Sequence, residues 1–253
     1  MSSQPVTKAE GVAASADTRA AFLRKAGLGS AALVAGGSLA GALPGAAKAH
    51  TTPTPPTDVD MLNYALTLEH LEATFYVQGL EVFSRGDLTG AEFLGGFGGR
   101  IRSKVYDYFE LIRTHELAHV NTLQSVITSL GGTPVPACTY NFERTAFTSV
   151  EQFVSVARDL ENTGVMAYDG AIAHIEAAAL LTAGATIATV EARHASYLNL
   201  INGDVPFPNE FDTPVAPRVI CRLVDERFID SCPSSFDLAE FCSLLPDTVT
   251  PTP

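Results

Sequence analysis

The stretch RTHELAHVNTL, residues 113–123, decides how this chain is read. It holds neither Gly nor Pro, and apolar residues recur through and around it at helical spacing: Val105, Phe109, Ile112, Val120, Leu123 and Ile127. A helix turns by about 100° per residue. With Glu116 as origin, Phe109 and Ile127 fall roughly 20° to one side, and Val105 and Leu123 roughly 20° to the other. Glu116 therefore sits in the middle of an apolar stripe, with His119 about 60° away on its flank. A helix that turns an acid and an imidazole toward its own apolar side requires a physical reason.

The same phase test, run outward, finds three more such acids. A first helix, from about Thr57 to Phe83, carries Leu62, Ala73, Tyr76 and Leu80 within about 40° of Glu69. Glu72 lies about 60° from that centre and His70 about 100°, so both fit the stripe less well. The helix of the opening stretch runs from about Ile101 to Leu130. A third begins at TSVE, where Thr148 and Glu151 have capping-box spacing, and its stripe of Val150, Val154, Ala157, Val165, Tyr168, Ile172 and Ile175 surrounds Glu161. A fourth, from about Thr186 to Ile201, puts Glu191 on a face with Ile187, Ala195 and Leu198. The segment AAALLTAGA before it reads as a short turn region. Four amphipathic helices joined by one long Pro/Gly-broken connection, GGTPVPACTYNFERTAF, predict an all-α four-helix bundle.

Each helix thus has one glutamate at the centre of its buried stripe. Glu116 and Glu191 are each followed three residues later by a histidine, His119 and His194, while Glu69 and Glu161 are each followed seven residues later by a tyrosine, Tyr76 and Tyr168. One Glu-x-x-His is a weak signal, since a solvated polar pair has the same spacing. Four coincident phases are not. Four carboxylates in one core would repel and lose their hydration. Two divalent cations supply the balancing charge, and two imidazoles complete the donor set, so the predicted metal ligands are Glu69, Glu116, His119, Glu161, Glu191 and His194. Tyr76 and Tyr168 are candidates for hydrogen-bonding those ligands or carrying electrons, and core tyrosines with satisfied hydroxyls have the same pattern. His115 is a candidate outer partner of the site, whereas His70 and His174 read as surface residues.

The rest of the chain bounds where this site operates. Residues 1–49 read as an export signal. A basic stretch, TRAAFLRK, precedes a small, apolar segment rich in Ala and Gly, and Ala47-Lys48-Ala49 fits a cleavage site. The start is similar to a twin-arginine signal with one arginine missing, since Ala20 follows Arg19. Cleavage after Ala49 removes five basic and two acidic side chains, leaving 11 basic and 26 acidic ones and a formal charge of −15. That surface repels phosphate backbones and argues against nucleic acid as a partner. No later segment is apolar enough to span a membrane. Residues 50–57 form a Pro/Thr linker, 58–203 the bundle and 204–253 a Pro- and Cys-containing extension with one short helix around Arg218–Phe228. Little strand signal is present. Four cysteines, Cys138, Cys221, Cys232 and Cys242, predict one or two disulfides that tie down the tail, with three full pairings open.

The ligand spacing resembles the ferritin-like superfamily, with the bacterioferritin and rubrerythrin type of ligand set. Within it, ALTLEHLEATFYVQGL (residues 65–80) and YLNLINGDVPFPNEFDTP (residues 197–214) resemble the exported ferritin-like, desiccation-related proteins. The resemblance covers roughly Asp58 to Pro214. It implies a pair of iron or manganese ions bridged by Glu116 and Glu191, with Glu69 and Glu161 terminal and one histidine on each ion. It also implies chemistry with dioxygen or peroxide, either oxidation of Fe(II) or consumption of the oxidant in stress protection. The alternative is a non-catalytic desiccation protein with a structural metal site or none. The Gly-rich insertion before the second helix and the cysteine-bearing tail argue against a 24-subunit cage.

Overall fold

The computed structural model describes residues 56–250; the segment read as an export signal and the start of the expected linker lie outside the described residues. Four long helices carry the fold: α1 (Asp58–Val82), then after two short helices, α2 (Arg85–Gly90) and α3 (Gly99–Arg102), α4 (Val105–Ser129), and after α5 (Phe142–Thr145), α6 (Val150–Ile172) and α7 (Ala178–Ile201). α1 packs chiefly on α4 and α6 on α7, so two helix pairs face each other across one core. α8 (Pro217–Phe228) and α9 (Leu238–Leu244) close the outside. This is the all-α four-helix bundle expected from the phases of the four stripes. Among the described residues no helix is long and apolar enough to cross a membrane.

Local chemistry explains most of the boundaries. Thr57 caps α1 in a reciprocal capping box: its hydroxyl accepts from the Asp60 amide, and the Asp60 carboxylate accepts from the Thr57 amide. α6 is capped one residue later than its sequence suggests. Ser149, not Thr148, accepts from the amide of Gln152. α4 ends where Gly131 takes a φ of 80°, and the chain leaves α7 through Gly203 at 85°.

Two expectations need correction, and two segments carry more structure than the sequence signalled. The segment read as a turn before α7 is its first two turns. Ala and Leu favour helix, and Leu180 and Ala183 are buried there beside Val126. The Gly-rich insertion is also structured: Ser84 and Asp87 form a second capping box on α2, and Leu88 and Leu94 are fully buried. Ile172, placed on the buried stripe, is half exposed at the end of α6. A small antiparallel pair, β1 (Thr139–Tyr140) with β2 (Ile229–Ser231), joins the crossover to the tail. Two or three residues carry too little alternation to be read as strand.

The tail is part of the core. Ile220, Cys221, Val224 and Phe228 of α8 are buried. Of the three pairings the sequence left open, the structure has Cys138–Cys232, which joins crossover to tail, and Cys221–Cys242, which joins α8 to α9. The segment leading to α8 lies against α6, where the amide of Val215 donates to the carbonyl of Met166 at 3.1 Å. Gly170 permits that approach, since a Cβ there would lie 1.9 Å from the Val215 carbonyl oxygen. Gly170→Ala is therefore expected to destabilise the protein by about 1–3 kcal/mol, even though alanine is the better helix former. Denaturant titration reads the change, and an unchanged or raised midpoint would show that the tail is not seated there.

Candidate metal centre

The four stripe glutamates meet at mid-bundle. Glu69 of α1, Glu116 of α4, Glu161 of α6 and Glu191 of α7 are all completely buried. They form two groups of possible ligands: Glu69, Glu116, Glu191 and His119, then Glu116, Glu161, Glu191 and His194. Within each group the ligating atoms all lie within 4.8 Å of one another, and both groups contain Glu116 and Glu191. The six residues predicted as ligands are thus brought together, and the two acids shared between the groups are the two that precede a histidine.

Each histidine turns one nitrogen to the acids. His119 Nδ1 lies 3.2 Å from Glu69 Oε2, 3.1 Å from Glu116 Oε2 and 3.0 Å from Glu191 Oε1. His194 Nδ1 lies 3.0 Å from Glu116 Oε1 and 3.1 Å from Glu161 Oε2. A ring nitrogen carries at most one proton, which cannot serve three acceptors at once. The shortfall is visible: Glu116 Oε1 and both oxygens of Glu191 accept no hydrogen bond although fully buried. Orphaned carboxylate oxygens around an imidazole nitrogen, in a site of mixed N and O donors, suit first-row divalent cations such as iron or manganese. The residues present fit a metal pair.

The electrostatics of the metal-free site show the same tension. Burial, and then the neighbouring acids, push Glu191 well above the ordinary carboxylate value; Glu116 is raised for the same reasons. Burial also pushes Glu69 upward, but His119 and the hydroxyl of Tyr168 outweigh it and hold this acid below its usual value. Burial would lower both histidines, yet Glu69 and its neighbours raise His119 well above normal, and Glu161 and Glu116 raise His194 to about 11. In the metal-free site the surrounding acids thus favour the protonated form of both imidazoles.

The tyrosines bind the far sides of the acids. Tyr168 donates to Glu69 Oε1 at 2.5 Å, and Tyr76 donates to Glu161 Oε1 at 2.6 Å. In both acids the other oxygen, Oε2, faces the histidine. The bonds are crossed, because α1 supplies the tyrosine for the acid of α6 and α6 supplies the one for α1. Of the phenylalanines nearby, Phe75 and Phe109 both pack edge-on to Tyr76, and Phe75 stacks on Phe153, so the site is walled by aromatic rings on that side.

Phase reasoning misjudged three residues. Glu72, set aside as off the stripe, is 3% exposed and is pushed well above the usual carboxylate value by burial and by Glu191 and Glu161. Its place is made by Gly164. A Cβ at that glycine would lie 3.3 Å from Glu72 Oε1 and 3.4 Å from Glu191 Oε2. The repeat contained this signal, since the residue three after Glu69 is an acid and the residue three after Glu161 is glycine. His70 is buried, not on the surface, with Nε2 3.2 Å from the Val135 carbonyl of the crossover. His174 is half-buried and reaches the Thr248 carbonyl at 2.9 Å, so it fastens the end of the tail. His115 stands behind His194, its Nδ1 2.9 Å from His194 Nε2.

Comparison with known proteins agrees with this architecture. Residues 57–204, which contain all four long helices, match the ferritin-like domain family. The protein rds1 of Schizosaccharomyces pombe is 25% identical to the chain over 177 residues, which are 70% of this chain and 40% of that protein. The chain therefore spans less than half the length of that relative. With the family match covering more than half of the sequence, and covering the whole bundle that builds the acid and histidine cluster, this chain belongs to the ferritin-like domain family.

Proposed function

We propose that the protein is an exported di-metal carboxylate protein that oxidises Fe(II), or consumes dioxygen or peroxide, in protection against oxidative stress. The observation that carries this reading is the pair of Glu/His groups sharing Glu116 and Glu191, with three buried oxygens left without a donor. Glu69, Glu116, Glu191 and His119 would hold one ion, and Glu116, Glu161, Glu191 and His194 the other. A bound pair of iron or manganese ions supplies the redox steps toward the oxidant. The chain supplies the cage. Tyr76 and Tyr168 orient the two outer acids, so these tyrosines act by positioning, and the aromatic wall limits water on one side. Two disulfides support an oxidising compartment outside the cytoplasm, as does the signal-like start.

Metal analysis of purified protein, loaded separately with Fe(II) and Mn(II) and followed by assay of dioxygen and peroxide consumption, tests the reading. Two ions per chain with turnover of either oxidant supports it. Two ions without turnover would favour the non-catalytic desiccation role, and no stoichiometric metal would end the di-metal reading.

A pH dependence follows from the histidines. His194 is raised from 6.5 to about 11 in the folded, metal-free protein. Its ion pairs therefore stabilise that form fully below about pH 6.5 and are lost as pH rises through about 11. At neutral pH a metal must displace a proton from each imidazole. Metal affinity is accordingly expected to rise with pH across the neutral range, with proton release on binding. Calorimetry in buffers of different ionisation enthalpy measures those protons. Binding heats independent of buffer would contradict the assignment of the histidines as ligands.

A further inference from the structure

The two ligand groups are related by an approximate repeat. Glu116 and His119 on α4 recur as Glu191 and His194 on α7, and Glu69 with Tyr76 on α1 recurs as Glu161 with Tyr168 on α6. If the repeat were complete, the two metal positions would be equivalent. It breaks behind the histidines. The residue before Glu116 is His115, whereas the residue before Glu191 is Val190.

His115 uses its place on α4 to reach across to α7. Its Nδ1 lies 2.9 Å from His194 Nε2, the two ring planes are within 11° of each other, and the centroids are 5.1 Å apart. Coplanar rings joined nitrogen to nitrogen are held edge to edge by an in-plane hydrogen bond and are not stacked face to face. The opposite nitrogen of His194, Nδ1, is the one aimed at Glu116 and Glu161. When Nδ1 gives its lone pair to a cation, the remaining proton of the ring is on Nε2 and needs an acceptor, and His115 Nδ1 is placed to accept it. No hydrogen bond reaches the far nitrogen of His119 among the described residues; all its contacts are made through Nδ1.

Resting on the di-metal reading above, we propose that His115 is a positioning residue for His194, and that it makes the Glu161–His194 position the tighter of two unequal metal positions. The hydrogen bond fixes the ring's tautomer and its rotation, so binding there costs no search for the right orientation, and it increases the basicity of the ligating nitrogen. The second break in the repeat falls on the same side. Glu72, in the space left by Gly164, brings a further buried carboxyl group to the side of Glu191 that faces Gly164.

Titration of metal-free protein with Co(II), followed by visible absorption, tests this. The wild-type protein is expected to bind in two steps, and His194→Gln, which removes one ligand, identifies the step that belongs to Glu161 and His194 as the tighter. His115→Leu is expected to weaken that step by about 10–100-fold and to leave the other within a few-fold. His115→Asn, whose side-chain oxygen can accept near the place of Nδ1, should restore most of the loss. Melting of the metal-free variants shows whether each folds, and His115→Asn keeps the test open if the leucine variant does not. Equal weakening of both steps by His115→Leu, or no weakening of either, would overturn the proposal. So would a wild-type protein whose tighter step survives His194→Gln. A wild-type protein that binds no Co(II) would instead remove the di-metal reading itself.

Discussion

Glu116→Gln is expected to abolish loading of the metal pair and, without metal, to leave the protein at least as stable as the wild type. Glu116 belongs to both ligand groups, so its loss removes a donor from both positions at once. The amide keeps the volume of the acid, so no cavity forms. It also removes one of the buried charges, in a place where burial and Glu161 already raise the acid above its ordinary value. Breaking an ion pair normally costs several kcal/mol because the partner charge is stranded. Here the acids outnumber the two histidines, so the deficit is one of cations. The metal-dependent part of stability changes in the opposite direction. At a metal concentration of about 100 times Kd, the wild type gains about 2.7 kcal/mol for each ion, about 5 kcal/mol for the pair, which for a chain of this size is about 10–20 °C in Tm, and the variant gains almost nothing. Thermal melts with and without Mn(II) measure both effects. A variant that still shows the wild-type metal shift would mean that Glu116 is not shared between two ions.

The second large effect concerns the tail. Removing the Cys138–Cys232 bond, by changing both cysteines to serine, is expected to cost about 4–5 kcal/mol, since the bond closes a loop with a sequence separation of 94. Removing Cys221–Cys242, with a separation of 21, is expected to cost about 3 kcal/mol. The order follows from the denatured chain: the longer the loop a bond closes, the more freedom its loss returns. Denaturant midpoints of the two double variants establish the ranking. A larger loss for the shorter loop would show that packing of α8 on α9, and not loop closure, dominates.

The site was more legible than the surface around it. A glutamate in the middle of an apolar stripe is improbable for solvated helix, and four of them fix both the fold and the point where its helices converge. Phase alone has a coarse edge, however. Glu72 lies about 60° from the stripe centre, which is the same offset as His119, yet one was set aside and the other kept because a histidine three residues after a glutamate suggests a ligand pair. What admits Glu72 is an absence on a different helix, at Gly164, and a single-helix phase test cannot see it. The start of α7 was misread for a related reason. Ala-rich sequence with a glycine carries no strong stripe, and its helix is decided by contact with Val126, far away in the chain. The disulfide pairing, the two short strands and the docking of His70 and His174 depend on the paths of the crossover and the tail, which spacing does not encode. His115 was legible only as a neighbour of the ligands, because its partner lies on the opposite helix pair.

On the proposed di-metal reading, the crossed tyrosine bonds bear on electron transfer. A redox centre pays a reorganisation cost each time its ligands relax to a new charge on the metal. In this bundle neither outer acid can rotate alone: Glu69 is held by a hydroxyl from α6 and Glu161 by one from α1, so a swing of either carboxylate drags on the helix across from it. Dipoles fixed in advance in this way do not have to be rearranged when charge moves. If the proposed metal pair is bound there, such a cage would favour small, reversible changes of charge over one large rearrangement, as a centre meeting oxidant repeatedly would require.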